Sequence, residues 1–94
     1  MIVMVVQSIF KSDTLNQAIQ IYEKLAAASR LEEDCLEYGI YQNVENEYAL
    51  TVIEGWATEQ ALETHMQSAH FQEFVPQLMT WRESVTMHRY ERII

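Results

Sequence analysis

Four residues with side chains suited to proton transfer and ligand binding, Glu54, Trp56, His65 and His70, lie together in residues 53–71, among apolar residues. The unperturbed pKa of an imidazole is about 6.5, so it can take a proton from a phenolic or enolic hydroxyl near neutral pH. A carboxylate nearby can orient the imidazole or hold a substrate hydroxyl. We therefore predict a small-molecule site in this stretch, with His65 and Glu54 as its catalytic candidates.

Each of these two side chains also has a purely structural interpretation. A histidine on an apolar helical stripe is more often a hydrogen-bonded core residue than a base. Glu54 could be an ordinary buried carboxylate paired with Arg89 or Arg30. Burial would raise its pKa and a positive partner would lower it, so the sequence leaves both interpretations open.

Aromatic residues supply the candidate walls of the site. Trp56, Tyr38 and Phe71 could form flat apolar surfaces around an aromatic ligand, although aromatic residues at these spacings also serve as core. We predict that these three residues, with His70 and Arg89, contact the substrate.

A metal site is not expected from the spacing. His70 follows His65 by five residues, so on one continuous helix the two side chains would point about 140° apart. Only a helix break near Ser68 would bring them together, and no Cys or Asp is spaced as a further ligand. We interpret the acidic run at residues 32–34 as a solvated loop.

Charge and composition limit which partners and which cell compartment are expected. The 94 residues carry a formal net charge of −8 and only six Lys plus Arg, so the basic surface that binds nucleic acid or an anionic membrane is missing. The single cysteine, Cys35, cannot form an internal disulfide, which favours the cytoplasm. The apolar first ten residues lack the basic region and cleavage site of a signal peptide.

The hydrophobic pattern predicts one domain, residues 1–94, whose elements position these side chains. Strand alternation, helical periodicity and three cap residues, Thr14, Thr58 and Ser68, mark the elements, and Pro76 should kink or divide the last helical segment. The predicted bounds are strand 1–10, helix 14–29, strands 35–44 and 48–56, helical segments from 58 and from 68, and strand 83–94. This βαββαβ order is ferredoxin-like, an α+β fold with an antiparallel sheet and helices on one face.

The second face of this sheet also needs a cover. Residues 1–10 are apolar in both alternating sets, and the hydrophobic fraction of 49% is more than a chain of this length usually buries alone. We predict a homodimer packed sheet to sheet.

A longer pattern resembles a known family. Glu54-x-Trp56 followed by Ala61-Leu62-x-x-His65-x-x-Ser68-x-His70-Phe71, and preceded by Arg30-x-Glu32-x-x-Cys35-Leu36-x-Tyr38, is similar to the antibiotic biosynthesis monooxygenase (ABM) domain family. The resemblance implies a dimeric α/β barrel with one pocket per protomer between helices and sheet. It also implies oxidation of a quinol or polyphenol by O2, with no metal or flavin cofactor.

Two other chemistries occur in that family. Members that degrade haem resemble one another in an Asn late in strand one, a Trp in helix two and a haem-ligating His. This sequence has Gln7, His65 and Val75 there, which disfavours haem. A group that processes a sugar-derived signal resembles this chain at His65 and Glu54, so an isomerase or lyase is the alternative. A second alternative to the monooxygenase is a non-catalytic dimer that binds a small molecule.

Overall fold

A four-stranded antiparallel sheet is the base of the fold, seen in a computed structural model that describes residues 1–94. The strand order is β2-β3-β1-β4, and every neighbouring pair is antiparallel. The elements are β1 Ile2–Phe10, α1 Leu15–Ser29, β2 Cys35–Asn43, β3 Asn46–Trp56, α2 Glu59–Met66, α3 Ala69–Trp81 and β4 Arg82–Glu91. The predicted ferredoxin-like fold is confirmed.

Strand alternation decides which residues of the sheet face the helices. Along β3, Leu50, Val52, Glu54 and Trp56 are all buried, as the alternating pattern predicts for one face. They pack in one core with apolar residues of the helices, among them Tyr22, Leu25, Leu62 and Leu78. Glu54 is the one carboxylate on this face of β3, so the fold itself carries it into the core.

A short break separates α2 from α3, and a cap begins each helix. The Thr58 hydroxyl accepts a hydrogen bond from the Ala61 amide, and the Ser68 hydroxyl accepts one from the Phe71 amide. Both predicted caps are confirmed. α3 then runs unbroken through Pro76, so the expected division there is wrong; packing of Val75 and Leu78 against the core holds the helix together.

One other local prediction is wrong. The Thr14 side chain makes no cap bond, and its hydroxyl donates to the Lys11 carbonyl. Leu36 does not share the buried face of Tyr38. A bulge between Cys35 and Glu37 leaves Leu36 outside the register of β2 with β3, and it is 56% exposed.

The face of the sheet away from the helices carries apolar side chains of the central strands. Val3, Val5 and Ile53 lie there and are half-buried, whereas β4 is exposed along most of its length. Separately, none of the three helices has both the length and the apolar composition needed to cross a membrane.

Candidate functional site

His65 lies in the last turn of α2 and is almost fully buried, at 1% exposure. Its ring packs over the Trp56 indole, with centroids 4.5 Å apart, and meets the edge of Phe71 at 5.3 Å. Aromatic contacts on two sides leave the imidazole little freedom to rotate. The two ring nitrogens therefore have fixed and different surroundings.

The Nδ1 side of His65 faces Glu32, in the connection between α1 and β2. Glu32 Oε2 lies 2.5 Å from His65 Nδ1 and 2.8 Å from His70 Nε2. An ionised carboxylate only accepts hydrogen bonds, so both of these nitrogens donate to it. A neutral His65 then carries its proton on Nδ1 and leaves Nε2 without one.

The backbone of this connection fixes Glu32 in place. The Cys35 amide donates to the Glu32 carbonyl at 3.2 Å, and the Ala57 amide donates to the Asp34 carbonyl at 2.9 Å. Asp34 has φ 66°, in the left-handed region that Asp adopts more readily than most residues. The Arg30 guanidinium donates twice to the Tyr38 carbonyl, at 2.9 and 2.7 Å, which ties the end of α1 to β2.

The Nε2 side of His65 faces Glu54. Glu54 Oε1 lies 3.7 Å from Nε2 and accepts a hydrogen bond from Trp56 Nε1 at 2.9 Å. Burial raises the pKa of Glu54 to about 7, although the Trp56 bond acts in the opposite direction. Burial also lowers the pKa of His65, and its bond to Glu32 opposes that change. Neutral forms of both groups are therefore accessible near physiological pH.

A cavity of about 100 Å³ lies against the Glu54 side of the ring. Of its fifteen lining residues twelve are hydrophobic, and they include Tyr38 and Phe71 beside Glu54 and His65. A second concavity of about 450 Å³ shares five of these residues, namely Met66, Phe71, Val75, Arg82 and Met87. The small inner cavity therefore adjoins a wider apolar groove at the surface.

The remaining predicted site residues lie elsewhere. Trp56 and His70 contact His65 from outside the cavity. Arg89 lies on the exposed β4, where its Nη1 is 3.2 Å from Glu59 Oε1. Neither Arg89 nor Arg30 contacts Glu54, so the positive partner considered for that carboxylate is not formed.

Two residues of the site were not foreseen. Glu32 belongs to the acidic run interpreted as a solvated loop, and only its place in the family-like pattern could have singled it out. Arg82, where α3 meets β4, is the only Lys or Arg that lines the cavity, and its buried Nε has no hydrogen-bond partner. Burial raises the pKa of the nearby Tyr22 hydroxyl, and the positive charge of Arg82 opposes this.

Solved structures with the same fold cover nearly the whole chain. A conserved protein from Methanosarcina mazei Go1 superposes with a TM-score of 0.94 at 29% identity, over 98% of this chain and 92% of that one. A crystal structure described as an antibiotic biosynthesis monooxygenase gives a TM-score of 0.94 at 22% identity, over 100% of both chains. The second likeness shows a shared fold and no more.

Sequence comparison adds the family. "Putative monooxygenase YcnE" of Bacillus subtilis (strain 168) is 36% identical over 53 residues, which is 56% of this chain and 56% of that protein. The chain thus matches about half the length of this curated relative. The model of the family described as "Antibiotic biosynthesis monooxygenase" matches residues 1–77. Because this match covers most of the chain and the fold agrees, the chain belongs to the antibiotic biosynthesis monooxygenase family.

Proposed function

We propose that the protein is a monooxygenase that oxidises a small quinol or polyphenol with O2 and needs no cofactor for this reaction. The observation that carries the proposal is the setting of His65. Glu32 holds its Nδ1, and its Nε2 lies toward Glu54 on the wall of an apolar cavity. An imidazole held in this way offers its unprotonated nitrogen to a ligand hydroxyl.

The proposed first step is proton transfer from a phenolic hydroxyl to His65 Nε2. The resulting imidazolium lies between Glu32 and Glu54, and a negative carboxylate on either side stabilises it. The Trp56 N–H bond to Glu54 favours the ionised form of that carboxylate. Glu54 therefore stabilises the imidazolium from the cavity side, and Glu32 is a positioning residue that holds Nδ1.

The deprotonated substrate is electron-rich and reacts with O2. It gives one electron to O2, and the radical pair combines to form a carbon–oxygen bond. The substrate peroxide then loses water, so that one oxygen atom stays in the product and the other leaves with two hydrogens from the substrate. The substrate supplies all the electrons, and the apolar walls keep bulk water away from the radical pair.

The dimensions of the site suggest how a substrate binds. Sites for drug-sized ligands usually enclose about 300–1,000 Å³, so the inner cavity of about 100 Å³ suits little more than one ring. We place the reacting ring there, between Tyr38 and Phe71, and the rest of the molecule along the outer groove. Arg82 can donate its free Nε–H to a carbonyl or phenolate oxygen.

We also propose that the working unit is a cytoplasmic homodimer packed sheet to sheet. The half-buried Val3, Val5 and Ile53 on the open face of the sheet support this arrangement, because a second sheet would cover them. Sedimentation should give twice the mass of the 11.1 kDa chain. A monomer at micromolar concentration would contradict the proposal.

Oxygen uptake with a panel of quinols and polyphenols tests the activity. The chain, stripped of metal, should consume O2 above autoxidation, and His65→Ala should lower the rate by about 10²–10⁴-fold, the usual contribution of a general base. Gln60→Ala removes an exposed side chain from the same helix and should leave the rate unchanged. Full activity in a folded His65→Ala protein would refute the role of His65.

A second function is favoured by one observation. Glu54, with its pKa raised to about 7, lies 3.7 Å from His65 Nε2, which is a suitable acid–base pair for an isomerase or lyase acting on a sugar-derived molecule. Turnover that continues without oxygen would select this function. Ligand-dependent thermal stabilisation without turnover would instead indicate a binding protein.

A further inference from the structure

We propose that Glu32, His65 and His70 form a binding site for a divalent transition-metal cation such as Zn²⁺. Their ligand atoms, Glu32 Oε2, His65 Nδ1 and His70 Nε2, all lie within 4.8 Å of one another. Two imidazoles and a carboxylate are a common ligand set for zinc sites that keep a position open. The inference does not depend on the proposed oxygenase activity.

The present separations are close to those a metal needs. Glu32 Oε2 is 2.5 Å from one imidazole nitrogen and 2.8 Å from the other. With metal–ligand bonds of about 2.0–2.2 Å in a tetrahedral arrangement, ligand atoms lie about 3.3–3.5 Å apart. Insertion of the cation therefore requires outward shifts of about 1 Å or less, with the metal taking the place of two shared hydrogens.

The break between α2 and α3 is what brings the two histidines together. The Ser68 hydroxyl donates to the His65 carbonyl at 2.6 Å and accepts from the Phe71 amide at 3.2 Å, so it fixes the turn from both sides. As a result the two imidazole centroids are 5.9 Å apart. On a continuous helix they would point in different directions.

The cluster is reachable from solvent and is electrostatically suited to a cation. The side chains of Glu32 and His70 are 14% and 20% exposed, whereas that of His65 is 2% exposed. Glu33 and Asp34 follow Glu32 directly in a chain of net charge −8. A cation can therefore enter from the Glu32 side, and its remaining coordination positions face water.

This site is separate from the cavity. Neither Glu32 nor His70 lines the cavity, and the proposed cation binds the ring nitrogen of His65 on the side away from Glu54. A cation on Nδ1 would leave the proton of a neutral His65 on Nε2, so oxygen uptake is measured on the metal-stripped protein and metal binding is measured without substrate. Failure of the oxygen-uptake assay would leave the metal site standing, and the reverse is equally true.

Metal titration of the full chain tests the proposal. We would strip the protein with a chelator, titrate it with Co²⁺ by visible absorption and with Zn²⁺ by calorimetry, and use no substrate. We expect saturation at one cation per chain. Glu32→Gln and His70→Asn should each weaken binding at least about tenfold, since even the outer partners of metal ligands affect affinity by 10–100-fold.

Glu33→Gln is the matched control, because it removes the same charge one residue away from an exposed position. It should change the affinity less than about twofold. Circular dichroism checks that each variant folds, and His70→Asn, at the solvent-facing side of the cluster, carries the test if Glu32→Gln does not fold. The proposal is overturned if the wild type shows no saturable binding up to millimolar Zn²⁺, or if the folded ligand variants bind as the wild type does.

Discussion

The two sides of the His65 ring meet opposite environments. On the outer side, Glu32 and His70 are within reach of water, and one carboxylate oxygen serves both imidazoles. On the inner side, Glu54 and Trp56 are buried beside an apolar cavity, and the pKa of Glu54 is raised toward neutrality. Exclusion of water, rather than residue type, is what raises the pKa of the inner carboxylate.

This difference assigns the two carboxylates to different tasks. Glu32, which contacts both imidazoles through one oxygen, can orient the ring or hold a cation. A carboxylate whose pKa lies near 7 can exchange a proton during turnover, which suits Glu54.

The strongest test of the contrast is the stability contributed by Glu54 as pH changes. Folding raises the pKa of Glu54 from 4.5 to about 7. At a pH between these two values, the folded state therefore keeps a proton that the unfolded chain has released. Stability from this group is therefore fully present below about pH 4.5 and falls by about 3 kcal/mol as pH rises to about 7. Glu54→Gln should remove this slope in urea unfolding between pH 4 and 8.

The control for that slope is Glu83→Gln on β4, an exposed carboxylate. Its unfolding free energy should follow the wild-type pH curve closely. If the unfolding free energies of wild type and Glu54→Gln changed with pH in parallel, water would have to reach the Glu54 side of the His65 ring.

Trp56→Phe removes the hydrogen bond that the inner carboxylate receives and also shrinks a buried ring that packs against His65. Because this bond favours the charged form of Glu54, its loss should raise the pKa of Glu54 further. The packing loss should be the same at both pH values, and the lost bond should cost about 2 kcal/mol more at pH 8, where the carboxylate is charged, and less than that at pH 5. Trp81→Phe, at the end of α3, should cost the same at both pH values.

Ser68→Ala tests the turn that joins the two sides. Loss of the cap should cost about 1 kcal/mol in urea unfolding, and Thr58→Ala should cost the same, since both hydroxyls cap a helix. Only Ser68→Ala should also weaken Zn²⁺ binding, because Thr58 does not hold the histidines together. Equal Zn²⁺ affinities for the two variants would contradict the role given to Ser68.

Arg89→Gln sets the baseline, since this residue lies on neither side of the ring. Its contact with Glu59 is an exposed ion pair, and such pairs contribute about 0–1 kcal/mol. We expect a stability change below about 0.5 kcal/mol and unchanged oxygen uptake. A large loss of activity would instead restore Arg89 to the substrate site.

The inner side of the ring was predictable from sequence because local rules build it. Period-2 alternation places Glu54 and Trp56 on one face of β3, and the caps at Thr58 and Ser68 follow from residue type and position. Helical periodicity then directs His65 inward. Each of these inferences uses only near neighbours in the chain.

The outer side was not predictable because it depends on contacts between distant parts of the chain. Nothing periodic marks Glu32, which enters the site from a loop fixed by backbone hydrogen bonds. Arg89 shows the limit of alternation on an exposed strand. Alternation gives it the helix-facing side of β4, opposite Met4 on β1, but β4 is exposed there and Arg89 pairs with Glu59 at the surface.

The outer cluster also has a consequence for folding. Glu32 belongs to the first βαβ half of the chain, whereas His65 and His70 belong to the second, so these contacts join residues 33 and 38 positions apart. Because His65 lies on α2, the hydrogen on its Nδ1 is protected only while α2 stays docked against the connection that carries Glu32. Its exchange with solvent deuterium should therefore report the undocking of α2 from the first half of the chain.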